Sequence, residues 1–371
     1  MARYPGFIGP TYTVRSKMVN AERSVNLQPE RVEDGAGKAG AWLLGTAGLV
    51  AFTEIGTGPI RALFYQNNRL FAVSGSQYYE VFANGTATIR GFVGSDGRPA
   101  TIHTNGTAGF QNFIVSARKG YIHNLQTNVY TQITDPDFPS QSALMGFFID
   151  GYFGVVILNS TTFQLSNLLD GLSWDGLDVA QRSWASDNIV SAITNHRELW
   201  LLGSQTSEVW VDTGASFPLE PIPGVFIEGG AFAPFSPAKL DNTIFWLDGD
   251  ERGYAIVRRA NGYTPERVST FAVEFAINQY DRLQDTIGFT YQQEGHSFYC
   301  LYFPAGDVHW VYDVATGQWH ERANWDTDRS AWVPWTPYTH CFAWGRHLVG
   351  DKASGVIYDV DPSAYADVVV T

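Results

Sequence analysis

Residues 196–230 read HRELWLLGSQTSEVWVDTGASFPLEPIPGVFIEGG. Two short strands lie in this stretch. The first is Glu198-Leu199-Trp200-Leu201-Leu202, stopped by Gly203-Ser204; the second is Glu208-Val209-Trp210-Val211, stopped by Asp212-Thr213-Gly214. Both are short and rich in aromatic and β-branched residues, which suits a pleated sheet surface and not a helix. The unit is a piece of antiparallel sheet, and loosely spelled versions of it recur along most of the chain.

Working outward, the second strand of each unit begins near Arg69, Gln111, Tyr152, Glu198, Thr243, His296 and Arg346, at successive spacings of 42, 41, 46, 45, 53 and 50 residues. Asn67-Asn68 and Asn84-Gly85 are preferred two-residue hairpin loops, and Asp150-Gly151 and Asp241-Asn242 mark further turns. A weak period in this range, with one small antiparallel sheet per repeat, is the mark of a β-propeller. The fold class is therefore all-β: a propeller of six or seven small antiparallel blades, with seven units visible, and an extended N-terminal arm. The domain division places the arm at residues 1–40 and the propeller at 41–371. The lone strand Leu49-Val50-Ala51-Phe52 is expected to complete the last blade and so remove an exposed sheet edge. One stretch, Phe271 to Gln284, is expected to hold at best a short helical insert, because its apolar residues are poorly spaced for an amphipathic face.

Charged residues make up only 16% of the 371, against about 25% in a typical soluble domain. The surface is thus expected to be uncharged polar or covered by partners. With 24 basic and 37 acidic residues, the chain lacks the cationic surplus needed to grip phosphates. Cys300 and Cys341 have neither disulfide-framework nor zinc spacing and read as buried free thiols, which fits a reducing compartment. No run of about 18 apolar residues suggests a membrane span, and MARYPGFIGPTYT has no apolar core of a secretory leader.

Motifs for chemistry are weak. Gly35-Ala36-Gly37-Lys38-Ala39-Gly40 matches GxGxxG but has no strand before it. Asp248-Gly249-Asp250-Glu251-Arg252-Gly253 begins like a calcium loop, yet the closing carboxylate position holds Arg259, so a hairpin turn is expected. Asn167 to Trp174, NLLDGLSW, approximates the Asp-box turn of sialidase-type propellers, with Leu169 in the Asp slot; that turn is structural. The pairs Asp135/Asp137 and Asp175/Asp178 are expected to cap turns, since glycosidase carboxyls must face each other across a cleft. His123, His309 and His320 sit in or beside aromatic strands and read as structural. The aromatics Trp319, Trp325, Trp332, Trp335 and Tyr338 cluster in one segment, where a subunit interface is their expected use. No cofactor, metal or catalytic residue is expected.

The arm has no core of its own and must lie on something: its own domain or a neighbouring subunit. Both readings stand. On the second, Tyr12, Arg15, Asn20, Arg23, Asn26, Pro29 and Glu30 are the candidate contacts with a subunit or partner.

Specific strings narrow the choice. They include Val19-Asn20-Ala21-Glu22-Arg23-Ser24-Val25-Asn26-Leu27-Gln28-Pro29-Glu30, Leu44-Gly45-Thr46-Ala47-Gly48-Leu49 and Gly58-Pro59-Ile60-Arg61. Further on come Thr206-Ser207-Glu208-Val209-Trp210, Ile227-Glu228-Gly229-Gly230, Arg267-Val268-Ser269-Thr270 and Trp319-His320-Glu321-Arg322. In this order, from about Gly6 to Asp361, the chain resembles the packaged-DNA-stabilisation proteins of short-tailed bacteriophages, the tail accessory, hub or nozzle family. Gln28 departs from the pattern, where an aromatic is expected, and relatives tend to run beyond Tyr365.

The resemblance implies a non-enzymatic virion protein of the phage tail, assembled in the host cytoplasm as a homohexameric ring below the portal and adaptor. Such a ring extends the DNA channel, helps retain packaged DNA until ejection, and docks tail fibres or spikes and the plug or needle. DNA would pass without sequence-specific binding, and no membrane insertion is implied. An acidic, lysine-poor chain suits a channel that phosphates must slide through. The rival is a carbohydrate-binding or glycan-hydrolysing propeller, motivated by the aromatics and the degenerate Asp box.

Overall fold

The computed structural model describes residues 10–13, 15, 21–31, 41–182, 184–249, 252–364 and 366–367. Seven antiparallel sheets of four or five strands follow one another in chain order. Their first strands are Ile60–Gln66, Thr101–Thr104, Ala143–Ile149, Ile189–Asn195, Ala238–Leu240, Ile287–Gln293 and Pro337–Ala343. First strands of neighbouring blades pack side by side around a central axis. The second strands begin at Arg69, Gln111, Tyr152, Glu198, Thr243, His296 and Arg346, so the repeat read from the sequence is the blade repeat. The fold is a seven-bladed β-propeller. Strand Gly48–Glu54 pairs antiparallel with Val356–Asp361 and supplies the outer strand of blade 7, whose other three strands come from the far end of the chain.

The strands read as apolar runs because both of their faces are covered. Along Glu198–Gly203, Leu199 and Leu201 pack with Phe147 and Phe163 of blade 3, while Trp200 and Leu202 pack with Ile244 and Trp246 of blade 5. Blade 5 continues the alternation: Phe245 and Leu247 face Tyr299 and Leu301 of blade 6. In turn Phe298 and Cys300 face Val349 and Tyr358 of blade 7. Period-two alternation thus gives every central strand two buried faces. The molecule has seven apolar layers, one between each pair of neighbouring blades, including blade 7 against blade 1 through Ile357, Leu348, Ile60 and Leu70. Gly350 sits where blades 7 and 1 meet; a Cβ there would lie 2.5 Å from Ile60 Cγ2.

The first hairpin of six blades closes with two residues of positive φ: Asn67-Asn68, Asp150-Gly151, His196-Arg197, Asp241-Asn242, Glu294-Gly295 and Trp344-Gly345. Such loops match the right-handed strand twist. Blade 2 instead carries a one-turn helix, Gly106–Gly109. Because all join a first strand to a second, these turns lie at one end of the propeller, where they clasp adjacent blades. Arg197 Nε donates to Asp150 Oδ1 at 2.8 Å, and His196 Nε2 lies 2.7 Å from Asn242 Oδ1.

The helical insert covers only Phe271–Ile277. Thr270 caps its start by accepting from Val273 N, and Asn278 ends it by donating to the Ala255 and Glu274 carbonyls. Both cysteines are free; Cys300 is buried and Cys341 half-buried. Among the described residues no helix is long and apolar enough to cross a membrane.

If closure rests on the layer between blades 7 and 1, Ile357→Ala should cost about 3 kcal/mol, as expected for a fully buried isoleucine. Phe92→Ser, at a position 65% exposed, should change stability by less than about 0.5 kcal/mol. Urea titration followed by tryptophan fluorescence separates the two.

Candidate functional site

Two regions carry polar groups in arrangements that the fold alone does not require: the seat of the arm and the axial channel. The arm lies along the fourth strand of blade 6, Gln318–Asp326. Thr11 N donates to Trp319 O at 2.8 Å, Glu321 N to Ser24 O at 2.9 Å, and Asn26 N to Glu321 O at 2.9 Å. Val25 and Glu321 form a parallel bridge. Asn26 has φ of 55°, a left-handed conformation that asparagine tolerates. That turn brings its amide onto Ala323, donating to the carbonyl at 2.6 Å and accepting from the N–H at 3.0 Å. The side chain thus continues a ladder that the backbone has left. Arg23 grips Glu321 with Nε and Nη2, at 3.0 and 2.7 Å.

The other candidate contacts are spread along the same arm. Tyr12 is half-buried and pairs with Glu22. The Arg15 guanidinium lies 5.1 Å from the centre of the Phe275 ring. Pro29 is buried opposite Leu43, and Glu30 is opposite Trp42, in the antiparallel pairing of Leu27–Arg31 with Ala41–Gly45. Asn20 falls outside the described residues, as do 35–40 with the GxGxxG string. The described part of the arm rests on its own propeller. Of that strand pair, Trp42 and Leu44 remain exposed.

A cavity lies at each end of the propeller axis. At the end bearing the first-hairpin turns, a cavity of about 670 Å³ is lined by Lys239, Asp241, Asn242, Tyr291, His340 and His347, among others. His340 Nε2 and His347 Nδ1 are 3.1 Å apart, so one ring must donate and the other accept. Burial, and then the neighbouring imidazole, lowers His340 to about 3; burial also lowers His347. At the opposite end a cavity of about 870 Å³ gathers Asp96, Arg98, Arg282, Asp285 and Lys352 above apolar walls. Buried Arg61 shapes this mouth: Nε donates to Arg98 O at 2.6 Å, Nη1 to Gly75 O and Gly94 O, and Nη2 to Asp96. Asp285 is paired with Arg282.

The sequence motifs resolve as turns. Asp135 accepts from Asp137 N and Trp174 N, and Asp175 accepts from Leu177 N. Trp174 of the Asp-box-like turn is buried against Phe113 and Phe138, and its indole donates to Gly171 O at 2.9 Å. Asp248 is buried, accepts from Gly230 N and Gly249 N, and is paired with Arg258. Asp250 and Glu251 lie outside the described residues, and Arg259 pairs with Glu266. Among the described residues no three histidine, cysteine or acidic side chains converge as a metal would need.

The propeller with its seated arm can be set against known proteins. A family model described as bacteriophage P22 Gp10, beta-propeller, matches residues 17–365. The chain belongs to that family. It is a structural protein of the short-tailed phage tail, carried in the virion. No curated protein matches it. Among solved structures, a catalytically inactive virginiamycin B lyase from Staphylococcus aureus with quinupristin is similar at a TM-score of 0.54 and 11% identity. That match covers 90% of this chain and 98% of the lyase. The extracellular domain of the one component system BT4673 from B. thetaiotaomicron is similar at a TM-score of 0.53 and 9% identity, over 84% of this chain. This chain spans 40% of that structure's length. At such identities the likeness is one of fold alone.

Within the family fold, His123, His309 and His320 are fully buried. His320 stands out because neither ring nitrogen has a hydrogen-bond partner among the described residues. Burial, aided by Arg322 and His296, lowers its pKa to about 3. The unfolded chain protonates it near the ordinary value of about 6.5. Between these values the unfolded state binds the extra proton, so stability is lost as pH falls. At pH 5 the gap corresponds to about 2 kcal/mol. His320→Phe should therefore shrink the loss of unfolding free energy between pH 7.5 and pH 5 by about that amount in paired urea melts.

Arm docking gives a second expectation. Glu321→Ala removes the partner of a half-exposed arginine, a contact worth about 1 kcal/mol. Tryptic cleavage after Arg15 and Arg23 should accelerate about fivefold, while Glu266→Ala should leave it unchanged.

Proposed function

We propose that this protein assembles as a homohexameric ring beneath the portal and adaptor of a short-tailed phage. There it extends the DNA channel, helps retain the packaged genome, and offers docking surface for fibres or spikes and for a plug or needle. The observation that carries the reading is the family match across residues 17–365. The physical features support it. Seven interlocked apolar layers make each subunit a stiff block. A net charge of -13 gives DNA few attractive wells in which to lodge. The role requires no catalysis, and one carboxylate of each candidate glycan-hydrolase pair, Asp135 and Asp175, is occupied as a turn cap.

Residues 1–40 serve in this reading as the arm that links subunits or partners, and residues 41–371 as the propeller. Tyr12, Arg15, Asn20, Arg23, Asn26, Pro29 and Glu30 are its candidate contacts. Exposed Trp42 and Leu44, on the sheet face shared with Gln28 and Glu30, give such a contact an apolar centre. The arm then acts in two directions, holding its own blade 6 through Arg23 and Asn26 and presenting its free side to a neighbour.

Light scattering of the purified protein, together with mild dissociation of virions, tests the proposal. A mass six times that of the 41.1 kDa chain, or release from tails together with portal or adaptor protein, is expected. A stable monomer absent from particles would sink it. Trp42→Ser should weaken ring formation without lowering the melting temperature of the isolated subunit.

A further inference from the structure

The cavity at the mouth opposite the hairpin turns has features that neither the fold nor the tail role explains. Its volume, about 870 Å³, lies in the range of small-molecule sites. The walls are apolar, with Leu144, Leu158, Ile189, Phe232, Phe235 and Ile287 among them. A cluster of polar groups stands over these walls. Asp96 is neutralised by Arg61, and Asp285 by Arg282. Two cations remain. The Arg98 guanidinium makes no hydrogen bond or ion pair among the described residues. The Lys352 ammonium donates to Trp335 O at 2.9 Å and lies 4.6 Å from the centre of the Tyr302 ring. Burial lowers its pKa to about 8, against the opposing pull of Asp307 and Asp351.

A second observation is independent of charge. Tyr338 is 4% exposed and lines the cavity, yet its hydroxyl is buried with no hydrogen-bond partner. A buried hydroxyl left unsatisfied is costly, and such groups are uncommon in native structures. Among the residues lining the cavity, Arg98, Arg282 and Lys352 outnumber Asp96 and Asp285, in a chain with 13 net negative charges.

We propose that this mouth binds a small amphipathic anion: an apolar chain or ring system lying on Leu158, Ile189 and Phe235, with a single carboxylate or phosphate head between Arg98, Lys352 and the Tyr338 hydroxyl. A neutral ligand would leave the Arg98 guanidinium with no partner but water. A polyanion would meet Asp96 and Asp285. The site goes beyond the structural role proposed above and is tested without reference to assembly.

The probe is dodecanoate, titrated calorimetrically into the full-length protein at pH 7 below its micellar concentration, with dodecyl phosphate and dodecanol alongside. Both anions should bind, and dodecanol at least about tenfold more weakly, the loss of one charge-assisted contact. Arg98→Gln, at an exposed position that should not disturb folding, and Lys352→Met should each weaken dodecanoate about tenfold. Tyr338→Phe should weaken it about threefold while leaving the melting temperature of the free protein unchanged or raised. Val190→Trp, which fills the cavity, should abolish binding. Absence of dodecanoate binding overturns the proposal, as does equal affinity for dodecanol or indifference to Arg98→Gln. A further arm measures co-sedimentation with phosphatidylglycerol vesicles. Retention on vesicles without binding of soluble dodecanoate would assign the mouth to a membrane surface and overturn a free-anion site.

Discussion

The structure depends on contact between blades more than on any blade by itself. A four-stranded sheet with two apolar faces is insoluble alone, and each sheet here has two such faces. Trp200 and Leu202 need Ile244 and Trp246; Phe245 and Leu247 need Tyr299 and Leu301. Only a closed ring leaves no face uncovered. Closure therefore falls to blade 7, which must be completed by the strand Gly48–Glu54 from the other end of the chain. Leu49 enters the layer between blades 6 and 7 on that strand, and Ile55 just beyond it enters the layer between blades 7 and 1. The two ends of the chain are thus joined by the same apolar burial that holds the middle, and edge pairing with a foreign strand is denied at the point where the ring would open.

With packing spread around a ring, loops need separate restraint, and arginine supplies it repeatedly. Arg61 gathers the carbonyls of Gly75, Gly94 and Arg98 around one guanidinium. Arg322 donates to Ala47 O and Tyr291 Oη and lies 3.8 Å from the centre of the Trp335 ring. Arg267 holds buried Glu274 at the start of the short helix. The planar, five-donor guanidinium suits such sites because it can serve several carbonyls without leaving one unsatisfied. Buried pairs of this kind add little net stability over apolar packing. Their effect here is to fix where loops lie, and the mouth around Asp96 and Arg98 is placed by one of them.

Much of the fold was legible. Second-strand starts from Arg69 to Arg346 agree with the structure because a strand that follows a two-residue turn begins abruptly, and Asn67-Asn68, Asp150-Gly151 and Asp241-Asn242 are spelled for positive φ. His196-Arg197 and Ala117-Arg118 adopt the same conformation without the usual residues, so there the flanking strands dictate the turn. The helix stops seven residues short of Gln284 because Asn278 diverts its amide to Ala255, a tertiary contact with no local signature. The site was far less legible. Arg23 and Asn26 could be named, but their partners, Glu321 and Ala323, lie 298 and 297 residues away. The mouth draws on Arg98, Arg282, Tyr338 and Lys352, which no motif unites; only closure of the ring brings positions so distant in sequence around one axis.

The arm seat and the channel are also one packed body. Asn26 and Arg23 fix the arm to Ala323 and Glu321, on either side of Arg322. Arg322 reaches inward to the Tyr291 hydroxyl, and the Tyr291 ring lies 5.9 Å from both His340 and His347 at the channel wall. Arg322 also holds Ala47, just before the closing strand. A pull on the arm is therefore borne by the same residues that close blade 7 and line the channel. The inner links, from Arg322 to Tyr291 and Ala47, lie in a close-packed interior where side chains have little room to yield. Load applied at the seat of the arm is passed to blades 6 and 7 and to the strand that closes the ring.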